Sequence, residues 1–238
     1  MGNPISWVGQ TVKDYKLVKF LGDGGMGMVF EAQKTSLEKK VAIKLLNPIL
    51  CAQETLRKRF FQEAKVAATL NHPNIVAINE VGEYEGLYFI EMEYIGGPTL
   101  NDHVKENGAL DSLKSLGILK QIAKGLEFAH NKKILHRDIK PSNVMFTSHG
   151  AVKITDFGLA KFLDQDSGLS KSGEFLGSPH FMAPEILASD REIDGRVDIY
   201  ALGITFYQML VGDTPFEGKS PLQIAYKHVT QPLPSIRS

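Results

Sequence analysis

Two short segments carry side chains suited to chemistry on a phosphate group. Residues 136–143 read His-Arg-Asp-Ile-Lys-Pro-Ser-Asn and supply a carboxylate (Asp138), an amine (Lys140) and a carboxamide (Asn143). Residues 156–158 read Asp-Phe-Gly and add a second carboxylate. Phosphoryl transfer from a metal-bound nucleotide needs such a set, because its catalysis consists mainly of positioning and of neutralising phosphate charge. For any one of these residues a turn-forming role is the usual explanation, but it explains the combination poorly.

Three further patterns surround these segments: a glycine-rich run at 22–27, Val-Ala-Ile-Lys at 41–44 and Ala-Pro-Glu at 183–185. A glycine-rich hairpin lets backbone amides approach phosphates, because no Cβ obstructs them. Alone, the run would equally suit a structural turn or a dinucleotide site. The dinucleotide version requires a helix immediately afterwards, whereas residues 28–32 read as a strand. Five patterns in this order are very hard to attribute to coincidence.

From about Tyr15 to its last residue, the chain resembles the eukaryotic-type serine/threonine protein kinases, and the Gly-Gly-Met-Gly loop is similar to that of bacterial members. The resemblance implies an ATP-dependent enzyme, assisted by Mg²⁺ or Mn²⁺, that phosphorylates Ser or Thr hydroxyls of proteins. Lys140, two residues after Asp138, is the arrangement of Ser/Thr rather than Tyr kinases. Residues 177–185 also resemble the substrate-docking segment of Ser/Thr kinases.

The resemblance assigns the catalytic work to four residues. Asp138 would accept or orient the proton of the substrate hydroxyl, and Lys140 would neutralise the moving phosphoryl group. Lys44 would contact the α- and β-phosphates and pair with a helix glutamate. Glu63 is the best candidate for that glutamate, and Glu54 is the fallback.

Asn143 and Asp156 would hold the magnesium ions, because hard oxygen ligands suit a hard cation. His136 and Phe157 are interpreted as packing residues. Asp198 is expected to tie the backbone of the catalytic loop, residues 136–143, to a long helix.

For the nucleotide, Met92 is the expected gatekeeper, and backbone groups of Glu93 and Ile95 are expected to bond the adenine. Apolar walls with a few backbone polar contacts are the usual design of such pockets. The walls would be Leu21, Val29, Ala42 and Met145, and the phosphate loop would be Gly22, Asp23, Gly24, Gly25, Met26 and Gly27.

Regulation is predicted to act through charge. Arg137 beside Asp138 would pair with a phosphate on the activation loop. The candidate acceptors are Ser167, Ser170 and Ser172, with the last two best placed, although a flexible polar loop explains any single serine about equally well. Glu174 is expected to supply part of that charge permanently, and Ser178 to bridge Asp138 and Lys140. Ser142 leaves a preference for arginine in the substrate unsupported.

The charge composition bears on whether nucleic acid or a membrane could be a partner. Lys plus Arg and Asp plus Glu each total 27, so no global field points to nucleic acid or an anionic membrane. The single cysteine, Cys51, fits a reducing compartment, and with no signal peptide the expected location is cytoplasmic. The longest apolar stretch, residues 199–212, is too short to span a bilayer and is interpreted as a buried helix. Dimerisation is left open.

The elements that must position these residues follow from periodicity. Residues 1–14 lack a clear period and are interpreted as an extension. Strands are predicted within 15–46, 75–82 and 87–92, and helices at 53–70 and 112–130, with Thr99 as an N-cap. The helix faces expected to be apolar are Phe60, Ala64, Ala67 and Ala68 in the first, and Leu113, Leu116, Leu119, Ile122, Ala123, Leu126 and Ala129 in the second.

The fold class is therefore predicted to be α+β and kinase-like, with a small antiparallel β-rich lobe carrying one main helix and a larger helical lobe. The domain would span 15–238, with the small lobe at 15–92, a hinge at 93–98 and the large lobe at 99–238. The resemblance implies further helices and an arginine partner for Glu185, so the large lobe is expected to be C-terminally incomplete. A non-catalytic nucleotide-binding pseudokinase or scaffold stays open as the alternative.

Overall fold

The computed structural model describes residues 4–24, 27–157, 178–187 and 193–236, and they form two compact units. Unit 1 contains the described residues up to Asn71 together with Val76–Ile95. Unit 2 contains His72–Ile75 and the described residues from Gly96 onward. Among the described residues, no helix has both the length and the apolar character needed to cross a bilayer.

Unit 1 is a six-stranded antiparallel sheet with two helices. The sheet order is β1-β2-β3-β4-β6-β5, with each strand antiparallel to its neighbours. The strands are Thr11–Val12 (β1), Tyr15–Gly24 (β2), Gly27–Lys34 (β3), Lys39–Leu46 (β4), Ile78–Tyr84 (β5) and Leu87–Glu93 (β6), and the helices are Pro48–Cys51 (α1) and Glu54–Ala67 (α2).

Part of the predicted extension belongs to the sheet. β1 pairs with β2, Val12 is 1% exposed, and Trp7 packs against the core of the sheet. A two-residue strand is too short to show alternation in the sequence, which explains why no period was visible. On α2, Phe60, Ala64 and Ala67 are buried as predicted. Ala68 was predicted wrongly and is exposed, because the helix ends at Ala67.

The glycine-rich hairpin requires glycine at one end for a reason inside the protein. β2 ends at Gly24 and β3 begins at Gly27, and these two residues are register partners. A Cβ on Gly27, whose φ is 151°, would lie 1.9 Å from the carbonyl oxygen of Leu45. Gly22 has open space within 4 Å of the same added atom. Packing therefore demands glycine at position 27 and leaves position 22 free.

A buried polar cluster joins four strands of unit 1. The Tyr15 hydroxyl lies 2.7 Å from Glu91 and 2.8 Å from Glu80. Lys34 donates to Glu91 at 2.9 Å, and the Glu91 side chain is 4% exposed. Burial raises the pKa of Glu91, but hydrogen bonds from Tyr15, Lys34 and Asn79 outweigh it and hold that pKa below its ordinary value. The cluster keeps a buried charge paired and hydrogen-bonded.

Unit 2 is mainly helical. It contains Leu100–Asn107 (α3), Ser112–Asn131 (α4), Arg196–Val211 (α5), Pro221–Thr230 (α6) and a hairpin of Val144–Phe146 (β7) with Val152–Ile154 (β8). Thr99 caps α3 as predicted, since its hydroxyl accepts from the Asp102 backbone and Asp102 bonds back to the Thr99 backbone.

The predicted face of α4 was wrong in its first turns. Leu113 and Leu116 are 78% and 52% exposed, and Ser115 is fully buried instead. Further along, Ile122, Leu126 and Ala129 are buried as expected. The helical periodicity was predicted correctly, but the apolar residues of α4 are compatible with two overlapping faces of the helix. Tertiary packing decides which of the two faces is buried.

Residues 72–75 also differ from the prediction, which placed a strand from Ile75 onward. Asn74 donates its side-chain amide to the carbonyl of Val152 at 2.8 Å, and its own carbonyl accepts from Ile154 at 2.9 Å. These bonds anchor the segment in unit 2, and β5 begins only at Ile78.

Candidate active site

In unit 2, one lysine joins the predicted base to the predicted docking segment. The Lys140 amine lies 2.7 Å from Asp138 Oδ2 and donates to Ser178 Oγ at 2.8 Å. Side chains of Asp138 and Lys140 are 24% and 21% exposed, so the pair is neither buried nor fully solvated. The structure thus brings together Asp138, Lys140 and Ser178, although Lys140 and Ser178 are 38 positions apart in the sequence.

Asn143 fixes the carboxylate from the other side. Its amide nitrogen donates to Asp138 Oδ2 at 3.0 Å and to the Asp138 carbonyl at 2.8 Å. The Lys140 amine and the Asn143 amide therefore share Oδ2 of the Asp138 carboxylate, and the other Asn143 bond uses the Asp138 backbone. Within the described part of the chain, Asp138 Oδ1 and the Asn143 amide oxygen are therefore the acceptors left for a ligand.

The β7–β8 hairpin brings the two predicted metal ligands to the same end. Asn143 immediately precedes β7, and Asp156 follows β8 by two residues. The backbone N–H of Thr155 donates to the carbonyl of Asn143 at 2.9 Å, which aligns the chain beside it. Asp156 adopts φ 61°, an uncommon conformation for a residue with a side chain.

A carboxylate and a carboxamide oxygen fit Mg²⁺, which takes few protein ligands and completes its shell with phosphates and water. Within the described part of the chain, no group of three or more His, Cys, Asp or Glu side chains could form a cage for a metal.

Asp198 of α5 holds the backbone of the catalytic loop, as predicted from the resemblance. It is fully buried and accepts from the backbone N–H of His136 at 2.8 Å and of Arg137 at 2.7 Å. His130 on α4 adds a third contact at 2.8 Å, which the sequence did not predict. Burial raises the pKa of Asp198, but the His130 bond, the nearby His136 and the two backbone donors outweigh it and lower that pKa.

His136 and Phe157 pack against each other, as expected. Their ring centroids are 4.6 Å apart, and both side chains are buried. His136 Nε2 also lies 2.8 Å from the carbonyl oxygen of Thr155. The contacts link the catalytic loop to the segment that carries Asp156.

In unit 1, strand register places several predicted nucleotide residues on one face of the sheet. Val29 lies opposite Lys44, and Ala42 lies opposite Met92. Since opposed residues in an antiparallel pair share a face and positions two apart share it too, these four side chains lie together. Lys44 is 5% exposed, as expected for a lysine within an apolar strand. Its pairing with Glu63 stays a prediction.

The segment after β6 carries the predicted adenine contacts. The Glu93 backbone N–H donates to the carbonyl of Ala77 at 2.8 Å. The backbone N–H of Ile95 makes no hydrogen bond to another backbone group of the described residues. Among the described residues, the Ile95 N–H is therefore a backbone donor available to a ligand.

The sequence missed a polar tether at this point of unit 1. Glu31 on β3 bonds Lys40 on β4 at 2.7 Å and accepts a hydrogen bond from Tyr94. The Lys40 amine also lies 5.1 Å from the centre of the Tyr94 ring. An acidic residue within the apolar run of β3 was the available signal.

Several predicted residues do not enter this geometry. Leu21 is 41% exposed on β2, Asp23 is exposed, and Met145 lies on β7 of unit 2. Their predicted roles in nucleotide binding therefore stay predictions. The predictions that lie outside the described residues are Gly25, Met26, Ser167, Ser170, Ser172 and Glu174.

Glu185 has a basic residue near it, but one held by another carboxylate. Arg196 bonds Asp194 at 3.0 Å. That bond is the main reason why the pKa of Arg196 is raised, and Glu185 adds a smaller effect.

The comparisons with known proteins agree on one family. A family model described as "Protein kinase domain" matches residues 15–237. The chain is 41% identical over 217 residues to a probable serine/threonine-protein kinase of Clostridium perfringens, covering 91% of this chain and 31% of that protein. It is 39% identical over 223 residues to serine/threonine-protein kinase PrkC of Bacillus subtilis, covering 94% and 34%. The chain thus spans about a third of the length of these relatives.

A solved structure shows the same fold. The crystal structure of the PknI kinase domain of Mycobacterium tuberculosis is similar with a TM-score of 0.71 and 32% sequence identity, over 89% of this chain and 80% of that one.

Proposed function

Because the chain belongs to the protein kinase domain family, we propose that it transfers the γ-phosphoryl group of ATP to Ser or Thr hydroxyls of proteins. The observation that carries the proposal is the contact of Lys140 with both Asp138 and Ser178. A serine of the docking segment is thereby joined to the carboxylate that would meet the acceptor hydroxyl.

In this proposal Asp138 is the catalytic base. Lys140 and Asn143 hold one oxygen of its carboxylate, so the other oxygen faces the acceptor hydroxyl. That oxygen takes the hydroxyl proton as the new bond to the γ-phosphorus forms and the bond from this phosphorus to the bridging oxygen breaks, with ADP leaving. Lys140 also lies where it can neutralise charge on the transferred group. Orientation is supplied by hydrogen bonds already present, which avoids reorganisation during the reaction.

Asn143 and Asp156 would hold Mg²⁺, or Mn²⁺, through their side-chain oxygens. The metal, when bound, neutralises phosphate charge. Lys44, paired with Glu63, would bind the α- and β-phosphates, and Gly22–Gly27 would contact the phosphates through backbone N–H groups. Adenine would bond the Glu93 carbonyl and the Ile95 N–H and pack against Leu21, Val29, Ala42, Met92 and Met145.

We propose in addition that phosphorylation of the activation loop, at Ser170 or Ser172, controls activity through Arg137 in a signalling pathway. Arg137 supports this because its backbone is fixed by Asp198 at 2.7 Å, so a phosphate paired with it would be held beside Asp138. The proposed kinase domain spans 15–238 with a hinge at 93–98. The single cysteine supports a reducing, cytoplasmic setting.

The test is transfer of radiolabelled phosphate from ATP to a generic protein substrate. Asp138→Asn should lower the rate by about 10²–10⁴-fold while the affinity for a nucleotide analogue is kept. Glu217→Gln, an exposed carboxylate on the same unit, is the matched control and should change nothing. Transfer that survives Asp138→Asn would contradict the assignment. Nucleotide binding without transfer by the wild type would favour the pseudokinase alternative.

A further inference from the structure

The side chain of His228 on α6 is buried, and the reaction as proposed does not use it. The residue is 6% exposed. Its Nδ1 lies 2.7 Å from the Tyr200 hydroxyl on α5. The ring also meets the rings of Phe216 and Tyr200 edge-on, with centroids 4.8 Å and 5.6 Å away. Two residues, Tyr200 and Phe216, thus hold the imidazole.

The second ring nitrogen is the unusual feature. Nε2 is fully enclosed and makes no hydrogen bond of ordinary geometry among the described residues. Buried polar atoms are nearly always paired, so an enclosed nitrogen without a partner calls for an explanation. An apolar side chain of similar size would fill the same space without this cost.

The His228 side chain lies near the described part of the docking segment, residues 178–185. Both α5 and α6 pack against the turn Pro179–Phe181 of that segment. Burial lowers the pKa of His228 below its ordinary value, and the backbone of His180 and Pro179 acts in the opposite direction. Because Nδ1 is engaged by Tyr200, Nε2 is the ring nitrogen left to face that backbone.

The same helix presents a different face to solvent. Leu222, Tyr226 and Val229 are each more than half exposed, whereas Ile224, Ala225 and His228 are buried. The inward face therefore carries one polar residue, and that residue is directed at the docking segment. The outward face supplies a matched control, because Val229 is the next residue in the chain.

We propose that His228 is a positioning residue for the docking segment, with Nε2 directed at the backbone of Pro179–His180 while Tyr200 fixes its ring. The inference rests on the proposed function, because the contact would shape the surface that receives a Ser- or Thr-containing segment of a protein substrate. The ligand class is thus a polypeptide acceptor and not the nucleotide. His228 touches no reacting atom.

The kinetic test compares His228→Phe, Tyr200→Phe and Val229→Ala in the full chain, with one Ser-containing peptide and ATP. His228→Phe keeps the aromatic packing and removes both nitrogens, and we expect it to raise KM for the peptide about tenfold while KM for ATP changes less than about twofold. Tyr200→Phe should have the same effect at about threefold. Val229→Ala should leave both values unchanged.

A second measurement does not depend on activity. Amide hydrogen exchange of residues 178–187 should be faster in His228→Phe and Tyr200→Phe than in the wild type or Val229→Ala, with exchange in α4 unchanged. Tyr200→Phe keeps the test informative if His228→Phe fails to fold. Unchanged exchange, or equal rises in both KM values, would overturn the proposal. If the wild type transfers no phosphate, the proposed function fails, and exchange alone then decides the role of His228.

Discussion

Asp198 shows how a single buried carboxylate can organise a catalytic loop. Two backbone N–H groups and His130 donate to it, and no solvent reaches it. Arg137, whose backbone N–H donates one of these bonds, has φ 66°, a conformation that costs energy for a residue with a side chain. The carboxylate therefore stabilises a strained stretch of backbone from which Asp138 projects.

Asp198→Asn should lower the free energy of unfolding by roughly 3 kcal/mol at neutral pH, because an amide cannot accept all three bonds. The folded-state pKa lies below the ordinary 3.8, so the stabilisation is present above that value and is lost as pH falls through the folded-state pKa. The difference in free energy of unfolding between wild type and variant should thus become smaller in acid. Urea unfolding at about pH 7 and about pH 3 measures it.

The control for this prediction is Asp194→Asn. Asp194 also bonds a basic side chain, Arg196, but both are exposed, so little change is expected. A gap that stays constant with pH would show that Asp198 acts by packing rather than by its charge.

At the scale of elements, the Glu31–Lys40–Tyr94 tether joins two strands to the segment that would bind adenine. Tyr94 lies between Glu93 and Ile95, whose backbone groups are the proposed contacts. Burial is the main reason why the pKa of the Tyr94 hydroxyl is raised, and the hydrogen bond to Glu31 adds to it. The bond to Lys40 lowers the pKa of Glu31 and outweighs the opposite effect of burial. The tether therefore restrains the backbone on both sides of Tyr94.

Glu31→Leu should raise KM for ATP by about three- to tenfold and leave KM for the peptide unchanged, since it frees the adenine-binding backbone without touching unit 2. Steady-state kinetics with each substrate varied in turn would measure this. Lys13→Met, which breaks an ion pair with Glu80 elsewhere on the same sheet, should alter neither value. The expected pattern is opposite to that of His228→Phe. A rise in both KM values would contradict a local role for the tether.

For the whole molecule, the division into two units suggests that stability is not uniform. The Tyr15–Lys34–Glu80–Glu91 cluster joins β2, β3, β5 and β6 and lies entirely in unit 1. Lys34 and Glu91 each shift the pKa of the other toward the charged form, although burial opposes both shifts. Removing one charge would leave the other buried without its partner.

Glu91→Gln should destabilise unit 1 by roughly 3 kcal/mol. Hydrogen exchange should accelerate in β2, β3 and β6, and much less in α4 and α5 of unit 2, because local stability follows local contacts. Mass spectrometry of proteolytic peptides would resolve the two units. Equal acceleration in both would show that they unfold as a single cooperative body.

The family, the strands carrying Val29 and Lys44 and the N-cap at Thr99 were predictable from the sequence, and the resemblance implied the link from Asp198 to the catalytic loop. Each rests on residue types at short or characteristic spacing, and local propensity and motif order encode such features directly.

Tertiary structure alone decided the rest. It chose Ser115 over Leu113 for the interior of α4, assigned Asn74 to unit 2, and paired His130 with Asp198 and His228 with Tyr200. These partners lie 28 to 78 positions apart along the chain. No periodicity spans such distances, because which side chains meet depends on how helices and strands pack and not on their own sequence patterns.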